Sequence, residues 1–385
     1  MNFEWSEDQL AFRDSVLEFA RHSLNEDIIG REKEGVFSRE LWQRCAEFGI
    51  QGLPLPEEYG GQEADVLTTM IAMEALGYVC RDQGLFFSIH AHMWAVELPI
   101  LAYGTAEQKQ RFLPGLASGQ MIGAHGMSEP DSGSDAFKLG TRAERRGDVY
   151  VLNGTKTFVT NAPIADLFVL FANVRPDQGI WGVTAFLAER GTKGLSVGKP
   201  IEKMGLTTSP MAEVILDDCE IPVDNLLGKE GQGIPVFNHS MGWERSCILA
   251  SMVGGMQWQL EQCLAHARER KQFGKRIGDF QMIASKIVDM KVRLETSRLL
   301  LYRAATAQAT GKDNGLEAAM AKLYISEAAV QSGLDAVQIH GGYGYTREYR
   351  VEQTLRDAVG GRLYSGTSEI QRIIIARYLG LSPLK

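Results

Sequence analysis

The spacing of hydrophobic residues changes twice along this chain, and that change restricts the fold more than any other sequence feature. From residue 6 to about residue 116, apolar residues recur mostly every three or four positions, as on the buried face of amphipathic helices. Residues 119–233 instead contain short β-branched and aromatic runs, such as 149–152 and 167–171. Long amphipathic stretches return after Pro235. The sequence therefore predicts a mainly α protein with a central β domain, divided into residues 1–118, 119–232 and 233–385.

Bulk composition argues against several classes of protein. The 385 residues are 44% hydrophobic, enough for a large buried core, and the net charge of −8 offers no basic surface for nucleic acid. The acidic N-terminus predicts no signal or transit peptide, and no apolar run is predicted to cross a membrane. The cysteines are widely spaced and form no metal-binding grouping, which predicts reduced thiols, a cytoplasmic protein and no metal. They are Cys45, Cys80, Cys219, Cys247 and Cys263.

Two pairs of segments carry residues suited to a large polar cofactor. Residues 122–135 run from an apolar strand into a loop of small and polar residues, which alone is indistinguishable from an ordinary turn. Residues 152–162 follow as its companion. In residues 270–281 an arginine can fork onto phosphate oxygens and a phenylalanine can stack, while paired glycines in residues 338–345 let the backbone approach a nucleotide closely.

Together, and at these separations, the four segments resemble those of the acyl-CoA dehydrogenase family over essentially the whole chain. The resemblance implies an N-terminal helical domain, a middle β-barrel-like domain and a C-terminal four-helix bundle. It also implies FAD, and a homotetramer built as two dimers, because residues 270–281 and 338–345 serve a neighbouring subunit's FAD in the family. The residues implied to bind FAD are His125, Met127, Ser128, Gly133, Ser134, Phe158, Val159, Thr160, Arg270, Phe273, Phe280, Gln281, Gln338, Gly341, Gly342, Thr367 and Glu369.

Residues 363–371 resemble the family's flavin-side segment, with Ser365 where many of those enzymes carry the catalytic glutamate. Glu244 lies where isovaleryl-type and long-chain members place theirs. A carboxylate can remove an α-proton while the flavin takes a hydride from Cβ, and burial beside Trp243 would raise its pKa toward neutrality. We therefore predict Glu244 as the catalytic base and the Ser365 backbone N–H as the donor to the thioester oxygen. Glu369 is the nearest competing carboxylate, and its position suggests a helix cap.

Residues 86–95 resemble the helix that lines the acyl cavity, where the bulky His92 and Trp94 would shorten it. Structural packing is an equally good interpretation of Trp94. Residues 203–208 lack the arginine that many acyl-CoA enzymes show there, which predicts weaker recognition of the CoA nucleotide. The full set of residues implied to contact substrate is Ser134, His92, Trp94, Trp243, Arg245 and Gly366.

Local features at residues 160–166, 240–244, 330–336 and 364–367 resemble the branch of the family that oxidises prolyl groups on peptidyl carrier proteins. The favoured prediction is FAD-dependent α,β-dehydrogenation of a prolyl or similar short or cyclic acyl thioester on a carrier protein. The alternative is a catabolic short- or branched-chain acyl-CoA dehydrogenase of the isovaleryl type. An electron-transfer flavoprotein and oxygen both remain open as electron acceptor. An inactive flavin-binding scaffold and a flavin monooxygenase are two further hypotheses.

Overall fold

A computed structural model describes residues 5–311 and 313–381, and helices fill the first third of the chain. The first helix shows why they form where they do. The Ser6 hydroxyl accepts a hydrogen bond from the Gln9 N–H, and the Ser6 N–H donates to the Gln9 side-chain oxygen, so two N–H groups at that helix start are satisfied. The helices are α1 (Glu7–Ser23), α2 (Ile28–Glu34), α3 (Arg39–Glu47), α4 (Val66–Val79), α5 (Gln83–His92), α6 (Leu98–Tyr103) and α7 (Ala106–Ala117).

Helices α5 and α6 form one continuous apolar helix, joined by a π-helical turn at Met93–Glu97. This helix, Gln83–Tyr103, is long and apolar enough to cross a membrane by length and composition, whereas no run in the sequence looked long and apolar enough. In the structure, 78% of its most apolar window is buried inside the protein. A core helix of a protein this size satisfies the same criterion, because burial on all sides also requires an apolar surface all round.

The middle of the chain forms one eight-stranded sheet with the order β6-β7-β3-β2-β4-β5-β8, and β1 pairs in parallel with β4. Strand β4 is buried along its whole length because alternate side chains enter two separate cores. Leu167 and Val169 pack in the main core, whereas Phe168 and Leu170 pack in the smaller one. The strands are β1 (Gly123–Gly126), β2 (Arg142–Arg146), β3 (Val149–Thr160), β4 (Leu167–Asn173), β5 (Val183–Glu189), β6 (Leu195–Val197), β7 (Met211–Pro222) and β8 (Leu226–Leu227).

Long helices return after the sheet, and the predicted mainly α fold with a central β domain is confirmed. Helix α11 packs against α9, α10, α12 and α13. A short antiparallel hairpin of β9 and β10 interrupts the region that the sequence pattern predicts as helical. The elements are α8 (Gly233–Cys247), α9 (Ala250–Glu269), β9 (Lys271–Gln272), β10 (Lys275–Arg276), α10 (Gln281–Ala309), α11 (Gly315–His340), α12 (Val351–Gly361) and α13 (Ser368–Tyr378).

Helix α4 of the N-terminal region crosses α9 of the C-terminal region at a contact between glycines. A Cβ atom at Gly77 would overlap the Ser251 carbonyl oxygen, and one at Gly254 would overlap the Glu74 carbonyl oxygen. The absence of side chains at these two positions therefore lets the helix backbones approach closely. This crossing ties the helices of the two ends of the chain together.

We expect Gly254→Ala to destabilise the protein by about 1–3 kcal/mol, because the added methyl forces the two helices apart. Gly255→Ala is the matched control, since a Cβ there would make ordinary contacts with the Gln83 side chain at 3.4 Å and the Gly77 carbonyl oxygen at 4.0 Å. Thermal unfolding followed by circular dichroism would show a lower midpoint for Gly254→Ala than for Gly255→Ala. Equal midpoints would contradict the role assigned to this crossing.

Candidate active site

Glu244 lies in α8 with its carboxyl group almost fully buried, at 7% exposure. The Ser365 hydroxyl donates a hydrogen bond of 2.6 Å to Glu244 Oε2. Burial raises the pKa of Glu244 to about 7, although this hydrogen bond and the nearby charges of Arg245 and Lys322 lower it. A pKa in this range lets the carboxyl group take up and lose a proton near neutral pH, as a general base requires.

Ser365 and Gly366 form a left-handed turn, with φ values of 53° and 90°. Three side chains hold its two carbonyl groups. Arg245 Nε donates to the Ser365 oxygen at 3.2 Å, and Lys322 Nζ donates to the Gly366 oxygen at 2.6 Å. Gln371 Nε2 donates to both, at 3.1 and 2.9 Å. Among the described residues no protein acceptor takes the Ser365 N–H, so the predicted donor is free for a ligand.

Two stacked indole rings stand next to Glu244 in the fold. Trp243 and Trp94 have ring centroids 5.8 Å apart and planes 5° from parallel. Trp94 is fully buried and its Nε1 donates to His90 Nδ1 at 2.9 Å, while Trp243 is partly exposed. The structure thus brings Trp243 and Trp94 together, and Trp243 is the member of the pair that a ligand can reach.

His92 has protein partners at both ring nitrogens. The Gly123 N–H donates to its Nδ1 at 2.9 Å, and its Nε2 lies 2.9 Å from Glu97 Oε1. It also stacks edge-on against Trp42. Packing and these polar contacts account for its burial without a ligand, and its contact with substrate stays a prediction.

A cavity of about 30 Å³ lies close to the Glu244 region. It begins at Ile248, one helical turn beyond Glu244, and at Tyr364, the neighbour of Ser365. Phe87 and Leu206 are among its apolar walls. A volume of this size holds about one or two water molecules, and neither Glu244 nor Ser365 lines it.

The two segments predicted to flank a flavin lie side by side, because the Thr157 N–H donates to the Ser128 oxygen at 2.9 Å. Phe158 adopts a left-handed φ of 54° and leaves 63% of its surface exposed. Gly133 faces open space, and the buried His125 Nε2 has no hydrogen-bond partner within the described part of the chain. Burial lowers the pKa of His125 to about 4, so its ring is neutral. An aromatic face, an open glycine loop and an unused ring nitrogen fit a planar cofactor with polar edges.

The remaining members of this set have varied environments. Val159 and Met127 are buried, Ser128 and Thr160 are partly exposed, and Ser134 is exposed. Thr367 caps α13 by accepting from the Ile370 N–H at 3.3 Å. Glu369 is exposed in the first turn of that helix, unlike Glu244, and its pKa is lowered by backbone and Thr367 hydrogen bonds. The exposure of Glu369 agrees with the expected position at a helix start.

The segments predicted to bind the nucleotide end of FAD meet on a different surface. The Arg270 guanidinium lies 5.6 Å from the centre of the Tyr343 ring, and Phe273 packs edge-on against Phe280 at 6.1 Å. Phe273 is 93% exposed. The other predicted members are also exposed: Gln281, Gln338, Gly341 and Gly342. No described contact joins this group to Glu244.

Three residues that support the Ser365 turn and the predicted FAD-binding segment were not singled out from the sequence. Lys322 and Gln371 fix the turn at Ser365, and Lys156 is a fully buried cation behind the Met127 carbonyl. A signal for Lys322 was available, because it is a lone cation in the alanine-rich run at residues 318–322. A lysine on the apolar face of a helix must find a buried acceptor or counter-charge.

Comparison with known proteins agrees with this geometry. Family models for the N-terminal, middle and C-terminal domains of acyl-CoA dehydrogenases match residues 6–120, 124–219 and 231–380. An L-prolyl-[peptidyl-carrier protein] dehydrogenase of Pseudomonas fluorescens is 47% identical over 353 residues, which cover 91% of this chain and 93% of that protein.

Two solved structures superpose closely on this fold. The prolyl acyl carrier protein oxidase AnaB has a TM-score of 0.97 at 50% identity, covering 98% of this chain and 100% of that one. PigA with FAD and proline has a TM-score of 0.97 at 43% identity, covering 99% and 100%. The chain therefore belongs to the acyl-CoA dehydrogenase family, and it is an FAD-dependent dehydrogenase.

Proposed function

We propose that this enzyme desaturates an L-prolyl group held as a thioester on a peptidyl carrier protein, with Glu244 as the base. The observation that carries the proposal is the buried Glu244 carboxyl, whose pKa is near 7 and which contacts the turn at Ser365. No carboxylate stands at position 365 to compete with it. A weakly acidic α-proton needs a base that is both desolvated and ionisable at neutral pH.

Two independent facts favour a prolyl substrate. The relative in Pseudomonas fluorescens is named for a prolyl group on a peptidyl carrier protein, and AnaB is described as a prolyl acyl carrier protein oxidase. Residues 203–208 also lack the arginine that many acyl-CoA enzymes show there. A carrier-bound substrate also needs no binding site for the CoA nucleotide.

The residues of this chain have separate tasks in the proposed reaction. Glu244 removes the proton from the prolyl α-carbon. The Ser365 N–H is placed to hold the thioester oxygen while negative charge develops on it. FAD, when bound, accepts the hydride from Cβ, so the product carries a Cα=Cβ double bond. Trp243 and Trp94 make one wall of the site apolar, which limits access of water to the base.

We also propose that the enzyme is a cytoplasmic homotetramer built as a dimer of dimers. Phe273 and Tyr345 are 93% and 85% exposed in the single chain, which is unusual for large aromatic side chains. A second copy that covers them would complete the nucleotide end of the FAD site. The five cysteines are free and buried, which agrees with a reducing compartment.

The substrate is tested by anaerobic bleaching of the flavin absorbance with three compounds, two thioesters and free L-proline. L-prolyl carrier protein should bleach the bound FAD rapidly, and mass spectrometry should show loss of two hydrogen atoms from the prolyl group. Free L-proline and isovaleryl-CoA should bleach it far more slowly. Fast bleaching by isovaleryl-CoA with none by the prolyl thioester would favour the acyl-CoA alternative. Turnover with oxygen or with an electron-transfer flavoprotein would then identify the acceptor.

A further inference from the structure

The carboxyl group of Glu244 has one side-chain hydrogen bond among the described residues, and its donor is the Ser365 hydroxyl. That bond uses Oε2 and leaves Oε1 without a protein donor. Rotation of a glutamate about its last torsion is otherwise weakly restricted. A single fixed hydroxyl can therefore decide which oxygen faces the ligand.

The hydroxyl is itself fixed by the turn that carries it. Serine is uncommon at a left-handed φ such as 53°, because the side chain is crowded against the backbone there. The hydrogen bonds from Arg245, Lys322 and Gln371 to the two turn carbonyls stabilise this conformation. The turn therefore presents the Ser365 side chain to Glu244 and its N–H to the ligand from one rigid unit.

We propose that Ser365 is a positioning residue: its hydroxyl holds Glu244 Oε2, so that Oε1 is directed toward the α-carbon of the bound acyl group. The proposal rests on the proposed function, since it assumes that Glu244 is the base. Ser365, which stands where many members of the family carry a glutamate, then has a function of its own. The proposal also assigns the hydroxyl a task that is separate from that of the Ser365 backbone N–H.

The hydroxyl should also set the pH at which the base ionises. Its hydrogen bond favours the carboxylate and opposes the effect of burial on the Glu244 pKa. The charged and titratable groups that face this carboxyl are Arg245 on α8, Lys322 on α11 and Tyr364 in the turn segment. Burial and Arg245 lower the pKa of Lys322 to about 7 as well, so a kinetic pH profile alone could report either group.

The test compares Ser365→Ala and Ser365→Gly with the wild type. We expect kcat/KM of the wild type to rise with pH through about 7, because the base must lose its proton. Both variants should shift this rise upward by about one pH unit, the size expected for a hydrogen bond to a charged group. Their deficit should be about tenfold well below pH 7 and about fivefold at pH 7, and it should shrink further as pH rises. Glycine adopts the left-handed turn without strain, whereas alanine does not. Equal shifts of the pH profile in the two variants would therefore be caused by loss of the hydroxyl.

Ser368→Ala is the control for loss of a hydroxyl on the same segment, since the Ser368 Oγ donates to Glu327 and not to Glu244. Its profile should match the wild type. Infrared difference spectra of the holoenzyme detect protonation of Glu244 without turnover. The band of a protonated carboxyl group that is absent in Glu244→Gln is assigned to Glu244. The midpoint of that band should rise in both Ser365 variants, whereas titration of Lys322 would leave it unchanged.

The outcomes separate this proposal from the proposed function. If the wild type does not oxidise the prolyl thioester, or Glu244→Gln keeps full turnover, the proposed function fails. If both behave as expected but the band midpoint is the same in wild type and Ser365→Ala, only the positioning role is overturned. A shift in one of the two Ser365 variants alone would assign the effect to the backbone of the turn and would also overturn it.

Discussion

Replacing Glu244 with glutamine is expected to lower the rate of anaerobic flavin reduction by prolyl carrier protein by about 10³-fold or more. General-base catalysis contributes about 10²–10⁴-fold, and within residues 5–311 and 313–381 no second carboxylate bonds to the turn at Ser365. Glutamine keeps the size of the side chain and can still bond to the Ser365 hydroxyl. The loss should therefore appear in the rate of bleaching, measured by stopped flow, while FAD content stays at the wild-type level.

A complementary double variant tests whether a carboxylate at position 365 can replace the one at position 244. Glu244→Ala combined with Ser365→Glu places the acid at the position that many members of the family use, and it should recover part of the rate lost in Glu244→Ala alone. Bleaching of Glu244→Gln at the wild-type rate would rule out this base, whereas no bleaching of the wild type by either thioester would support the hypothesis of an inactive flavin-binding scaffold. Oxygen incorporated into the product in place of desaturation would instead support the monooxygenase hypothesis.

The fold was predictable from sequence because each region has its own hydrophobic period. Strand β4 reads as an unbroken apolar run because both of its faces are buried, and the long helices α10 and α11 have sustained helical spacing. The hairpin at β9 and β10 was missed because its two-residue strands are too short to show a period. Residues 86–95 were predicted as helical, but the full length of the apolar helix Gln83–Tyr103 was not, because histidines interrupt its hydrophobic run.

The candidate site was predictable where one residue type is unusual for its motif. Ser365 in place of an acid directs attention to Glu244, 121 residues away, and the structure joins them by one hydrogen bond. The direction of a side chain across such a separation is not encoded in any local pattern. Gln371 therefore resembles an ordinary helix residue until α13 is placed, and the acceptor of the buried Lys322 is known only once α11 packs beside the turn.

Lys156→Met is expected to destabilise the protein by about 3–5 kcal/mol, the usual cost of removing one partner of a buried ion pair. Lys156 is fully buried and its Nζ donates to Glu129 Oε1 at 2.6 Å. Burial would raise the pKa of Glu129, but Lys156 and the hydrogen bond from Thr141 hold it below its ordinary value. The same ammonium lies 3.4 Å from the Met127 carbonyl, so its loss should also loosen the FAD-binding segment. Thermal melting followed by both circular dichroism and flavin fluorescence measures the two effects.

The double variant Lys156→Met with Glu129→Gln separates the cost of an unpaired charge from the loss of the pair itself. Because neither side chain then carries a charge, its melting midpoint should lie above that of Lys156→Met and closer to the wild type. Lys193→Met is the surface control in the same sheet region, since Lys193 pairs with Glu220 at 2.6 Å while 76% of its side chain is exposed. That change should leave the melting midpoint close to the wild-type value, because water screens the exposed pair. If Lys156→Met melted no lower than Lys193→Met and released FAD no earlier than the wild type, the buried pair would not be what holds this segment in place.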